Sequence, residues 1–209
     1  MPISDKLAYA MGHRDQGPNK ILAQKIADSE DVGALKELKA LVLSDADKRL
    51  RMDAALAIAY VGESKPEMLV DFVDFVLEML NDPIDRVGWG SMIALSYISP
   101  LQPSKMYENL PDILDAMDNG GIVGRDHGYR VLIDLYSVEK YREDLFFIIL
   151  EQIQKSPPNQ LGQYTERLMS IINEKDKPEL ILALEDRRNE LTNEHHIKRL
   201  TKNLKKLYS

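Results

Sequence analysis

Two stretches of this chain repeat one another without gaps at a distance of 37 residues. Residues 44–61 align with residues 81–98. Asp45/Asp82, Arg49/Arg86 and Tyr60/Tyr97 are identical, and Leu50/Val87, Ala54/Ser91, Ile58/Leu95 and Val61/Ile98 match in kind. The segments between them repeat at 41: Glu67, Asp71, Asp74 and Glu78 return as Glu108, Asp112, Asp115 and Asn119. The additional residues lie in Pro100-Leu101-Gln102-Pro103. Self-similarity at such a period is the mark of a solenoid, because one unit cannot bury its apolar face alone and must stack on the next.

Ten prolines punctuate the chain, nearly all between stretches with apolar residues at i, i+3, i+4 and i+7. Proline suits the first turn of a helix and breaks its interior, so it outlines the elements. Period-2 alternation of strand length is absent. The pattern predicts helices at about 4–11, 19–28, 31–43, 46–61, 66–81, 84–98, 104–118, 123–136, 139–155, 159–173, 177–190 and 193–208. Asp82 is expected to cap a helix whose first residue is Pro83, and Asn119-Gly120 to close another. The expected fold is all-α, an α-α superhelix of about five helical hairpins. A single domain spans 1–209, with 1–18 and 175–209 as caps.

Asp-Pro followed by Val-Arg or Leu-Arg, then small residues and Ala-Leu, resembles a HEAT repeat of the kind also seen in phycobilin-lyase-like proteins. Residues 44–62 match best, with Arg51 at the family's structural arginine position. The second repeat departs there, carrying Gly88. Asn109-Leu110-Pro111-Asp112-Ile113-Leu114 looks like the kinked first helix of such a repeat. The match is strong over 44–98, moderate over about 20–173 and weak beyond. It implies that the Asp-Pro helices line the concave side. The third inner helix admits two registers. An offset of 39 puts Arg125 and Tyr136 with Arg86 and Tyr97 but buries Arg130 and Asp134. An offset of 37 turns Gly128, Tyr129, Leu132 and Leu135 inward and leaves Asp126, Arg130 and Asp134 as a polar stripe. Unpaired buried charge is costly, so 37 is preferred. A fourth inner helix should turn Leu161, Leu168 and Ile172 inward.

Composition narrows the function. The 34 acids against 27 bases give a net charge of −7, which argues against a general nucleic-acid binder. No cysteine is present, so disulfides and thiolate sites are excluded, which is compatible with a cytoplasmic protein. No apolar run is long enough for a membrane span, and the N-terminus lacks the pattern of a signal peptide. The four histidines, His13, His127, His195 and His196, have no metal-site spacing, and no nucleophile elbow or nucleotide fingerprint occurs. No cofactor and no catalytic residue is expected.

What remains is one stripe per inner helix. The first supplies Met52, Leu56 and Tyr60, the second Arg86, Trp89, Ile93 and Tyr97, the third Asp126, Arg130 and Asp134. Aromatic residues and arginine dominate binding hot spots. A partly apolar groove of this kind suits an amphipathic helix or an extended peptide. The competing expectation is that the stripe is ordinary core, closed by curvature or by the C-terminal helices. The candidate partner-binding residues are Leu56, Tyr60, Arg86, Trp89, Ile93, Tyr97 and Arg130.

Three other features have plainer expectations. Gly88, Gly90, Gly124 and Gly128 allow close helix packing. Glu67, Asp71, Asp74 and Glu78, echoed by Glu108, Asp112 and Asp115, form a solvated convex face. Residues 186–209 carry seven bases and three acids. Ile197, Leu200, Leu204 and Leu207 lie on one helical face there, as a capping helix requires. The expected function is a non-enzymatic scaffold or adaptor that binds a protein or peptide. The alternative is a HEAT-like DNA-binding protein of the alkylbase glycosylase type, since Trp89, Asp126 and Arg130 are the right residue types. A bilin or cofactor lyase accessory is a third possibility that no particular residue supports.

Overall fold

The computed structural model describes residues 1–208; Ser209, the end of the expected C-terminal cap, lies outside the described residues. Among those residues the regular structure is helical throughout. Twelve α-helices run in order: α1 Gly17–Ser29, α2 Val32–Val42, α3 Lys48–Ser64, α4 Val73–Glu78, α5 Asp85–Ile98, α6 Pro103–Glu108, α7 Leu110–Asn119, α8 Gly121–Ser137, α9 Arg142–Lys155, α10 Pro158–Met169, α11 Lys177–Glu190 and α12 Glu194–Leu207. After α1 they form five hairpins: α2/α3, α4/α5, α6–α7/α8, α9/α10 and α11/α12. The chain divides into two compact units, Met1–Val131 and Leu132–Ser209.

In the first unit, α3 and α5 form the middle of the core. Ala54, Ala55, Ala57, Ala59 and Val61 of α3 are fully buried, as are Val87, Ala94, Leu95 and Ile98 of α5. Small residues bring the two helices together. A Cβ on Gly90 would stand 2.9 Å from the backbone carbonyl of Ala55, so that crossing requires glycine. Gly124 does the same for α8, where a Cβ would stand 2.8 Å from the carbonyl oxygen of Ala116. The third inner helix follows the offset of 37: Gly128, Tyr129, Leu132 and Leu135 are buried, while Asp126, Arg130 and Asp134 stay half-buried.

Arg51 links the first two repeats. Its Nε donates to the carbonyl of Val42 at 2.7 Å, and its guanidinium pairs with Asp82, the acid of the next Asp-Pro turn. Both side chains are largely buried. The second repeat has no such latch, because Gly88 occupies the position, where a Cβ would stand 3.3 Å from the carbonyl oxygen of Leu80.

Several boundaries differ from the sequence expectation. Residues 4–11 are not an α-helix. A 3-10 turn, Ile3–Lys6, ends where Leu7 turns extended (ψ 152°), because tertiary acceptors claim the next donors. The amide of Ala8 donates to the buried Asn19 side chain at 2.8 Å, and that of Tyr9 to Asp53 at 2.7 Å. Asp82 does not cap α5, and Pro83 is not its first residue. Asp82 accepts from the amide of Ile84 at 2.9 Å, closing a turn before the helix starts at Asp85. The segment 66–81 winds as 3-10 helix over Pro66–Phe72, then α4, then 3-10 helix over Met79–Asn81. The first of these turns sets the fully buried Leu69 against Gly62. Helix 104–118 breaks into α6 and α7 at Asn109, since Pro111 fits only a first turn. Gly120 closes α7 with a right-handed backbone (φ −81°), and the left-handed residue is Gly121 (φ +62°). Helix α10 stops at Met169, which leaves Ile172 beyond it and half-buried.

The second unit is closed by α12. Leu200, Leu204 and Leu207 are buried, and α12 packs on α10 and α11. Arg199 lies across Gly162, where a Cβ would stand 2.5 Å from its Cδ. It grips Glu166 through two hydrogen bonds of 2.9 and 2.7 Å. That fork, led by its hydrogen bond, holds the Glu166 carboxyl below the usual carboxylate range.

Candidate partner-binding face

Helix α5 shows most plainly how the periodicity builds a face. Val87, Gly90, Ser91, Ala94, Leu95 and Ile98 are buried, whereas Trp89, Ile93 and Tyr97, one turn apart, remain half-buried and Arg86 is exposed. Helix α3 offers Met52 and Tyr60 in the same half-buried state. Leu56, placed between them by the sequence, is only 9% exposed and serves the core more than the surface. On α8, Arg130 is half-buried.

The rings are paired with cations. The guanidinium of Arg130 sits 4.4 Å from the centre of the Tyr97 ring, bridging α8 and α5. Arg86 lies 6.0 Å from Trp89 on the same helix. Lys20 of α1 reaches 5.2 Å from Tyr60 of α3. At the N-terminal end Arg49 stacks 4.8 Å from Tyr9. Such contacts contribute about 0.5–1 kcal/mol each at exposed sites and hold the long cationic side chains in place. Burial, then the Glu63 carboxylate, pushes the Tyr97 hydroxyl above its ordinary pKa, and Arg130 opposes them. Tyr60 is raised in the same way, by burial first and Glu63 and Asp53 after it. Both phenols therefore stay neutral donors at physiological pH.

The structure thus brings Tyr60, Arg86, Trp89, Ile93, Tyr97 and Arg130 to the surface of the first unit and withdraws Leu56. Sequence reasoning missed Tyr9, Arg14, Lys20 and Arg49. The identity Arg49/Arg86 across the repeat was a signal for the last of these. Tyr9, Arg14 and Lys20 precede the repeats and carry no periodic mark. Two concavities adjoin the face: one of about 370 Å³ beside Tyr9, Arg49 and Arg86, and one of about 350 Å³ between Trp89, Asp85 and Asp115. The acidic stripe is exposed as expected, with Asp74 held by Lys105 at 2.8 Å. No helix among the described residues is long and apolar enough to cross a membrane.

No family model matches this chain, and no curated protein does. Solved structures do resemble it. One is of computationally designed armadillo repeat proteins for modular peptide recognition. Its TM-score is 0.62 at 18% identity, over 91% of this chain and 92% of that one. Another is an engineered protein from the Northeast Structural Genomics Consortium, with TM-score 0.57 and 17% identity over 99% of this chain and 98% of that one. At such identities the likeness concerns the fold. The chain is an all-α helical-repeat solenoid.

Proposed function

We propose that this protein is a non-enzymatic scaffold that binds a peptide or protein partner through the face bearing Tyr60, Arg86, Trp89, Ile93, Tyr97 and Arg130, with Leu56 supporting it from the core. One observation carries the reading: half-buried rings recur across α3 and α5, and a cation stands over each. A solvated helix face would be polar there, and a core face would be closed. The fold is shared with repeat proteins designed for peptide recognition, and that likeness supports the same use here. The HEAT-type reading rests on the repeat of residues 44–61 in residues 81–98, with Asp82-Pro83 in the second copy, and on the Arg51 latch. Residues 1–18 and 175–209 act as the caps of one domain, supported by the burial of Leu7 and of Leu200 and Leu204. The cytoplasm is the proposed location. Nucleic acid is not the proposed partner, because the net charge of −7 disfavours the phosphate contacts such binding needs.

Trp89 is the sole tryptophan, which makes the face its own reporter. Peptides selected from a random display library against the full chain should shift its fluorescence. Their affinity should fall at least about 30-fold for Trp89→Ala/Tyr97→Ala, since losing a hot-spot side chain costs about 2 kcal/mol or more. Selected peptides that bind the double variant as well as the parent chain would remove this reading.

A further inference from the structure

Three arginines converge on the concavity of about 370 Å³ in the Met1–Val131 unit. Arg14 comes from the N-terminal turn, Arg49 from the start of α3 and Arg86 from the start of α5. Three other arginines take carboxylates: Arg51 takes Asp82, Arg187 takes Glu190 and Arg199 takes Glu166. Arg14, Arg49 and Arg86 make no ion pair among the described residues, although the sequence holds 34 acids. One carboxylate shares the hollow, that of the buried Asp53. Its Oδ2 accepts from the amide of Tyr9 at 2.7 Å and its Oδ1 from Gln16 at 3.3 Å. It fastens the N-terminal turn, and with Asp47, which accepts from the Tyr9 hydroxyl at 3.3 Å beside the hollow, it offsets part of the charge of the three guanidinium groups.

The way these cations are held preserves their donors. The guanidinium of Arg49 lies 4.8 Å from the centre of the Tyr9 ring, and that of Arg86 6.0 Å from the centre of the Trp89 ring. Stacking occupies the π face of a guanidinium, while its N–H groups lie in the plane and stay free for a bidentate contact. Gly12, left-handed at φ +75°, makes the turn that carries His13 and Arg14 to the rim. Gathering like charges is unfavourable by itself. A group with about two negative charges and three acceptor oxygens reverses that balance, and a phosphate monoester is such a group.

We propose that this hollow receives the phosphate of a phosphorylated side chain on a peptide lying along the aromatic face. The inference rests on the peptide-binding reading above, because Arg86 belongs to both sites. It is tested with the immobilised full chain and degenerate peptide libraries that differ at one fixed central residue: phosphoserine, phosphotyrosine, serine or glutamate. A phosphorylated library should be retained about tenfold better than serine or glutamate, the scale of charge-assisted hydrogen bonds to phosphate. Arg14→Gln/Arg49→Gln, which leaves Arg86 and the aromatic face intact, should abolish the advantage while keeping the circular dichroism melt. Equal retention of all libraries overturns the phosphate pocket and leaves the groove standing. Failure to retain any library overturns both. Binding of inorganic phosphate without preference for the phosphorylated libraries means an ion site and overturns the proposal. So does salt-sensitive capture of a DNA duplex with which phosphopeptides do not compete.

Discussion

The two units put the same residue types to opposite uses. In Met1–Val131, Tyr60, Trp89 and Tyr97 stay half-buried with Lys20, Arg86 and Arg130 over their rings. In Leu132–Ser209, Tyr136 is fully buried. Its hydroxyl donates to Asp176 at 2.7 Å and accepts from the amide of Asn173 at 3.1 Å. Arg142 stands 5.8 Å from that ring, but it spends its donors on the carbonyls of Tyr136 and Ser137. Arg199 is likewise spent on Glu166. A cation over an aromatic ring is therefore not in itself a recognition surface. On the proposed face the rings differ in remaining half-buried rather than closed.

The sharpest way to break this comparison is to truncate one tyrosine on each side. Tyr136→Ala should cost about 3–5 kcal/mol, the usual loss for emptying a large aromatic site in a core. Tyr97→Ala should cost less, because that ring is only half-buried, yet weaken peptide capture. Urea melts of both variants decide it, and equal losses would end the distinction. Tyr136 also carries a pH signature. Burial first, and the Asp176 carboxylate after it, pushes its pKa up to about 12. With the folded value above the unfolded one near 10, the neutral phenol's contribution is complete below pH 10 and is lost as pH rises toward 12. Tyr136→Phe should flatten stability over that window, which melts at stepped alkaline pH would show.

Glycine substitutions give the next largest contrast. Gly90→Ala should cost about 1–3 kcal/mol, because the new methyl meets the backbone of Ala55, which cannot move alone. Gly162→Ala should cost less, since the atoms in its way belong to the flexible Arg199 side chain. Thermal melts that reverse this order would show that α3 and α5 are free to separate.

Two smaller effects sharpen the picture. Arg51→Ala should destabilise the first unit by about 1–2 kcal/mol, as it strands the largely buried Asp82 and the carbonyl of Val42. Chemical denaturation of the single variant and of Arg51→Ala/Asp82→Ala, which should recover part of the loss, would test it. In the second unit, the depressed Glu166 value makes a contribution that is present above the ordinary carboxylate range and disappears as pH falls through the folded pKa. Glu166 is 44% exposed at its side chain, so the effect should be a few tenths of a kcal/mol. Arg199→Gln should reduce the slope of stability below the ordinary carboxylate range, read from acid titrations of the melt.

The hairpin repeats were legible because they rest on local rules. Proline fixes where helices start, and the 3.6-residue period fixes which face turns inward. Tyr129, Leu132 and Leu135 fell on the buried face of α8 for that reason, and the cost of burying Arg130 chose the register. What local rules could not show was competition from distant groups. Asn19 and Asp53 take the amides of Ala8 and Tyr9 and so unmake the helix expected at 4–11. Leu56 looked like Tyr60 in the pattern, but the packing around α3 leaves it only 9% exposed.

By itself, then, the sequence determined an all-α chain of stacked hairpins, the inward face of its inner helices, and a stripe of aromatic residues and arginines that it left open as either groove or core. Only the tertiary structure decided which charges meet which rings. Lys20 over Tyr60, Arg130 over Tyr97 and the gathering of Arg14, Arg49 and Arg86 join residues from different helices and turns. Periodicity acts along one helix at a time, whereas these pairings depend on the crossing of helices and on an N-terminal turn held by Asp53.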